Sequence, residues 1–552
     1  MEKRFFLALL LTGVVLVGTP LLFSPPPIPP GGQAAPAQAR RDSAQVPEAP
    51  SIAQERVRQQ PSPGARLPAQ AVVPAVVPET IRIARPEAIT AYRSIGASPL
   101  AVTVQRHRAL RARSGPVVIH DGTEPLLRYR TIQGTDTTRL DTTAFRVARQ
   151  TSNDTSGVTF TSADPATLVT VEYRATETPY LTRVRFAAPL ARERTYLLVE
   201  LPSGFTSYEA DTVDDIRHLA FAGKPVSSGA RGIGFGSLDP MERELVPGPI
   251  SWAAAKSKYF IVGLLSPNDS LPFAELQVVG GPRSSKMATR ADGTVVIPLV
   301  NGQAEFTFFA GPQAWENMRA LGREFETANP YGGFMQGIVQ PFSTIVMRLM
   351  LWLKQVVRLD YGWVLVIFGL AIRIVLWPLN QSAMRASLRL QRIQPELMAV
   401  QERLKHDRAK QQQEVLRVYQ AHGMSPFSAL SGCLPALIPM PVFFALFFVF
   451  QNTIEFRGVP FLWLADISLR DPLYILPIVT GASMFVLSWI GIRNMPKNPQ
   501  TTMMLYLMPG MFTVFLLSTA SGLSIYYLVQ QIAAIPQQWM IANERRKAQP
   551  AR

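Results

Sequence analysis

The stretch Tyr361–Leu379 (YGWVLVIFGLAIRIVLWPL) is long and apolar enough to cross a bilayer, and it contains an arginine, Arg373. A charge at the centre of such a helix costs roughly 2.5–3.5 kcal/mol even on the lenient insertion scale, so it usually faces a polar cavity and marks function. Snorkelling competes with that reading. Arg373 lies six residues before Leu379, about 9 Å along a helix, within reach of the near interface. The surrounding sequence decides between the two.

At 552 residues the chain exceeds one ordinary domain, and its apolar residues concentrate after Phe334. The net charge of +16 lies largely beside apolar segments, so membrane orientation explains it better than nucleic acid does. There is no zinc-finger spacing and no aromatic-plus-basic signature for RNA, so neither DNA nor RNA is an expected partner. The single cysteine, Cys433, excludes an intramolecular disulfide and reads as a buried small residue. The histidines His107, His120, His218, His406 and His422 form no i,i+4 pair, so no metal is expected.

Residues 1–23 place Lys3 and Arg4 before the apolar run Phe5–Phe23, an uncleaved signal anchor by this reading. The competing A-x-A-like site at Ala35 to Ala39 stands well apart from that run. Residues 24–78 are rich in Pro, Ala and Gln and form an extended tether. Across 79–313 the pattern becomes short alternating runs: Leu168–Arg174, Leu181–Phe186, Tyr196–Leu201, Tyr259–Leu265, Thr294–Leu299 and Glu305–Phe309. Their period of two predicts strands, and their number predicts a sandwich. Residues 314–359 then supply a short charged helix, Trp315–Thr327, and an amphipathic one, Phe334–Leu359, with Arg348, Lys354 and Arg358 on one side.

Residues 360–541 hold the Arg373 run and further apolar segments near Ala429–Gln451, Leu473–Ile490, Met503–Leu517 and Leu523–Ile541. With the anchor this predicts a polytopic α-helical membrane protein of six spans, five of them forming a core, plus the all-β domain. Basic residues cluster in the loop between the second and third spans, in the small loop holding Arg493 and Lys497, and in the tail 542–552. For six alternating spans these share the side of Lys3 and Arg4, which is the cytoplasm. Both termini are then cytoplasmic and the sandwich is exported.

Two constellations stand out. The loop 381–422 has helical periodicity broken at Lys405–Arg408, which predicts an antiparallel hairpin. Its charges, Arg403, Lys405, Asp407 and Arg408 among them, suit either a plain solvated link or a cytoplasmic arm that meets a partner. In the last span Ser524, Tyr527 and Gln531 share a helix face, with Tyr526 and Gln530 alongside. Interhelical hydrogen bonding accounts for them singly, and together with Arg373 they suggest a hydrated intramembrane cavity. No paired carboxylates, phosphate loop or nucleophile elbow supports catalysis. Without an internal repeat of broken helices, an anion transporter is the weaker reading, and a scaffold that merely anchors the sandwich is a third.

Several motifs in order carry a family resemblance: Arg373 through Leu379, Gln394-Pro395, Tyr419, Gly432 through Pro435, Met440-Pro441, Asp471-Pro472, Tyr474 through Pro477, Met508-Pro509, and Ser521 through Leu523 with Tyr526-Tyr527. The first half adds Trp252, Lys258-Tyr259-Phe260 and Gly311-Pro312. The chain resembles the YidC-type membrane protein insertases, in the form with a large periplasmic domain, of the family that includes mitochondrial Oxa and chloroplast Albino proteins. It departs from the family pattern at Pro439 and Ala383, between Pro426 and Cys433, and in its short tail.

The resemblance implies a β-supersandwich, a bacterial inner-membrane location, and a groove open to cytoplasm and lipid. It implies no enzyme activity and no cofactor. Its expected partners are nascent membrane proteins, ribosome–nascent chain complexes, the Sec translocon and the lipid bilayer. Arg373, Ser524, Tyr526, Tyr527, Gln530 and Gln531 would line the groove. Cys433, Pro435, Met440, Pro441, Met508 and Pro509 would belong to the spans along which a substrate helix slides out.

Overall fold

The computed structural model describes residues 78–548 apart from 112–114, 121, 153–154, 165–166, 192–193, 285–286, 329–335, 379–380, 382–392, 394, 424–439 and 493–502. The expected N-terminal anchor, all of the tether but Pro78, the loop at 493–502, Cys433 and Pro435 therefore lie outside the described residues. So do parts of the hairpin, of the third span and of the tail.

The β region is antiparallel throughout its described pairs. A four-stranded sheet joins Thr80–Ala84, Ala88–Arg93, Ser98–Arg108 and Pro116–Ile119 in sequence order. A 14-stranded sheet runs from Asp136–Arg139 at one edge to Phe145–Ser152 at the other. The 14-residue strand Arg243–Lys256 sits inside it, pairing first with Phe273–Gly280 and then with Phe260–Leu265 and Ala220–Pro225.

Period-two alternation produces this sheet directly. Leu181–Ala187 buries Thr182, Val184 and Phe186 and turns Arg183 and Arg185 outward. Register then lines up one apolar row over four strands: Val158 opposite Tyr173, Tyr173 opposite Val184, Val184 opposite Phe306. All four are fully buried, and each such burial stabilises by about 1.5–3 kcal/mol for a residue of Val or Phe type. Tyrosines in this core still need partners. The Tyr173 hydroxyl donates to Ala97 O at 2.7 Å and shares a 2.7 Å bond with the Tyr129 hydroxyl.

The charged helix expected over Trp315–Thr327 is shorter than that. It ends at Ala320, and the chain passes Gly322, Arg323 and Glu324 at positive φ before the 3₁₀ turn Phe325–Ala328. Tertiary packing overrides helical propensity here. Phe325 is buried edge-on to Trp252 at 5.3 Å, over Gly263, where a Cβ would come 2.7 Å from its ring. The Trp252 indole N–H donates to Arg323 O at 3.0 Å and fixes the break.

The helical part follows. Gln336–Val357 turns through 115° into Tyr361–Val375, as an interfacial helix entering a span would. Met440–Asn452, Ile475–Ile492, Met508–Leu516 and Ser521–Ala548 complete the described set outside the hairpin. Fewer spans are evident than the six expected. Among the described residues, Ile475–Ile492 alone is long and apolar enough by itself, and the bent pair makes a second. Met508–Leu516 has nine residues and is entered through a π-helical turn, Met503–Leu507. Ser521–Ala548 has 28 residues but carries Gln530, Gln531, Gln537 and Gln538.

The hairpin forms its own unit. A helix over 395–403 and a second over Arg408–Ala421 pack through Ile393, Leu397, Val400, Val418 and Tyr419. The break falls at 404–407, where the Asp407 carboxylate accepts from Lys410 N at 3.1 Å and caps the second helix.

Candidate functional site in the helical core

Arg373 stands on the fourth turn of Tyr361–Val375, about 18 Å from Tyr361 at 1.5 Å per residue. Its helix packs against Ser521–Ala548 at Gly369, where a Cβ would lie 3.0 Å from Val529. The close approach lets Gln530 donate through Nε2 to Gly369 O at 2.7 Å. One turn further on, Arg373 donates through Nη2 to Gln537 Oε1 at 2.5 Å.

Tyr526, Gln530 and Gln537 thus form one polar ladder at spacings of four and seven, meeting Phe368, Gly369 and Arg373 in turn. Arg373 Nε and Gln537 Nε2 are both buried with no hydrogen-bond partner among the described residues. A buried donor in that condition costs about 1–3 kcal/mol, so the pair is a place for further polar atoms.

The expected groove residues divide between two faces. Tyr526 is buried on the Arg373 side. Tyr527, about 100° further round the helix, joins a different cluster, with ring centroids 4.8 Å from Phe512 and 5.3 Å from Phe443. It is an aromatic joint between three helices. Ser524 is fully buried with a hydroxyl unpartnered among the described residues, and Gln531 is half-buried. Pro509 is buried at the start of its helix and Met508 is exposed. Met440 opens the helix Met440–Asn452, with Pro441 in its first turn. In the hairpin Arg403 is exposed, Lys405 pairs with Glu402 at 3.2 Å, Asp407 is the cap, and Arg408 begins the second helix.

Gln537 was not among the expected residues. Its signal was present: it lies seven after Gln530, two turns along one face.

A second polar centre joins the sheet to the loop after Met440–Asn452. Arg457 donates to both oxygens of Glu209, at 3.0 and 2.7 Å, and to Arg108 O at 2.9 Å. Its guanidinium lies over Tyr259 and Phe260, 5.9 and 5.8 Å from their ring centroids. Lys258 beside them pairs with Asp214 at 2.7 Å. Burial, together with Arg457, pushes His107 down to about 4. Glu455 accepts from Trp315 N at 2.9 Å, its other oxygen is buried without a partner among the described residues, and burial pushes its carboxyl up to about 7. The Lys258-Tyr259-Phe260 motif is therefore a seam with the loop next to a core helix.

Comparison with known proteins agrees with this division. The family described as "YidC periplasmic domain" matches residues 101–345, and that described as "60Kd inner membrane protein" matches 352–549. The membrane protein insertase YidC of Anaeromyxobacter sp. (strain Fw109-5) is 33% identical over 313 residues, 56% of this chain and 54% of that protein. The same-named protein of Syntrophus aciditrophicus (strain SB) is 31% identical over 324 residues, 58% of this chain and 57% of that protein. The chain thus spans little more than half the length of these curated relatives. A solved structure of an active YidC insertase with its first transmembrane domain resolved aligns at a TM-score of 0.34 and 18% identity, covering 83% of this chain and 92% of that one, too low to bear on the fold. Matched in both its sheet-forming and helical parts, the chain belongs to the YidC membrane protein insertase family.

Proposed function

We propose that this protein receives nascent membrane proteins in a polar groove beside Arg373 and releases their apolar segments sideways into the bilayer. The observation that carries this reading is the Arg373–Gln537 contact, a fixed positive charge in an apolar helix with donors beside it that are unpartnered among the described residues. Such a site lowers the desolvation cost of a polar or acidic tail. The driving force is partition of the following apolar segment into lipid.

The chain acts as a six-span inner-membrane protein with cytoplasmic termini and an exported β domain, residues 79–313. Substrates arrive on ribosomes or through the Sec translocon, and the hairpin 381–422 is the arm that meets them. The substrate helix leaves along the spans containing Cys433, Pro435, Met440, Pro441, Met508 and Pro509. No bond is made or broken, so the protein is not an enzyme.

The test is insertion into proteoliposomes of two substrates, one with an acidic translocated tail and one with almost none. Arg373→Ala loses the first preferentially, and Arg373→Lys retains part of it. Equal activity of Arg373→Ala on both, at the wild-type level, overturns the charge-attraction mechanism.

A further inference from the structure

Between the 3₁₀ turn Ile454–Phe456 and the helix Ile475–Ile492 the chain makes a tight loop with an apolar exterior. Phe461 N–H donates to Leu464 O at 3.0 Å and Leu464 N–H to Phe461 O at 2.9 Å. This pins a turn in which Leu462 sits at φ +52° and is 68% exposed. A left-handed backbone is uncommon for a bulky residue such as Leu.

The turn is held from beneath. Phe461 is buried edge-on to Trp363 at 5.3 Å and lies over Gly362, where a Cβ would come 2.1 Å from its ring. The Trp463 indole N–H donates to Asp471 Oδ1 at 3.1 Å. The same carboxylate accepts from Leu473 N at 3.0 Å and Leu476 N at 2.7 Å, so the indole donor and both carboxylate oxygens are paired within the loop. That internal pairing removes their need for water. Leu473 and Tyr474 are exposed beside Leu462 and Trp463, and the apolar surface continues onto Ile475, Ile478 and Val479 of the helix. Trp363, Trp463 and Tyr474 combine an apolar body with a polar tip, the side-chain type that collects where acyl chains meet headgroups.

We propose that the loop 461–474 is a wedge inserted into the exported-side leaflet, with Leu462, Trp463, Leu473 and Tyr474 at the boundary between headgroups and acyl chains. Because Phe461 seats the loop on the first turn of Tyr361–Val375, the wedge fixes the depth of that helix and hence of Arg373 below the exported surface. The occupant is lipid because the patch is continuous with the outward side of Ile475–Ile492. The proposal rests on the reading of that helix as a span.

The experiment uses the full chain in liposomes with Cys433→Ser as background and nitroxide labels at Leu462→Cys and, separately, Leu473→Cys. Ile478→Cys reports the span and Leu245→Cys, on the exposed face of the large sheet, reports water. Collision with oxygen and with a water-soluble nickel chelate is measured at each. The expected result is several-fold greater oxygen accessibility at both loop sites than at Leu245, at a shallower depth than Ile478. Loop labels as open to nickel as Leu245, with Ile478 still in lipid, overturn the wedge and leave the span intact. Loop labels shielded from both relaxants show a covering protein instead, and also overturn it. An Ile478 label open to nickel overturns the span reading and the wedge with it.

Discussion

Arg457 and Glu209, separated by 248 residues in sequence, form an ion pair in which the Arg457 Nε–H is shared between both carboxylate oxygens, with only 3% and 6% of their side chains exposed. One belongs to the loop after a core helix and the other to the sheet-forming region. Burial raises the Glu209 carboxyl above its ordinary range even with Arg457 beside it. Desolvation of the pair is therefore large, and the contact functions as a latch more than as a source of net stability.

Arg457→Ala leaves a buried carboxylate without its partner, a loss of about 3–5 kcal/mol for pairs of this kind. Thermal unfolding of the detergent-solubilised protein is expected to show it as a lowered midpoint. The defect shrinks as pH falls and Glu209 takes up a proton. The double variant Arg457→Met with Glu209→Gln recovers most of the loss, since no uncompensated charge remains.

Glu455 gives a separate pH dependence. Its carboxyl is at about 7 in the folded protein against 4.5 ordinarily, because burial disfavours its charge. Between those values the folded state holds the extra proton, so this contribution is full below 4.5 and is lost as pH rises through about 7. At 1.36 kcal/mol per pH unit the span of the effect is about 3 kcal/mol. Glu455→Gln is expected to flatten the fall in unfolding midpoint between pH 5 and pH 8. An unchanged slope would assign the dependence to other groups.

The first turn of Tyr361–Val375 offers a packing test. A methyl at Gly362 would overlap the Phe461 ring at 2.1 Å, whereas nothing lies within 4 Å of one at Gly510. Gly362→Ala is expected to cost about 1–3 kcal/mol, as overpacking does. Gly510→Ala is expected to be neutral or to stabilise its helix by up to about 1 kcal/mol. Unfolding midpoints of the two variants, measured side by side, check the contrast.

Local alternation made much of the β region legible. Leu181–Ala187 shows its inward face in the sequence alone, and register follows once neighbours share the period. What stayed hidden depends on contacts between distant segments. Nothing near Phe325 announces that Trp252 and Gly263 will break the helix before it. Nothing local pairs Arg457 with Glu209. In the core, Arg373 and the last helix were visible as polar atoms in apolar runs. Periodicity could not say which side of that helix faces Arg373, and Tyr526 and Tyr527, adjacent in sequence, go to different neighbours.

That division yields the sharpest test of the groove. Gln537 accepts the Arg373 hydrogen bond, whereas Tyr527 packs among phenylalanines and edge-on to Tyr526. Gln537→Leu keeps the charge but removes its orienting acceptor, a charged hydrogen bond of a kind contributing about 1.5–3 kcal/mol. Insertion of an acidic-tailed substrate is expected to slow several-fold, less than for Arg373→Ala, with the tail-less substrate unaffected. Tyr527→Phe preserves the aromatic joint and is expected to leave both substrates near wild type. The reverse outcome, a large loss for Tyr527→Phe and none for Gln537→Leu, would place the polar path on the Tyr527 side of the helix and leave the Arg373 contact a structural one.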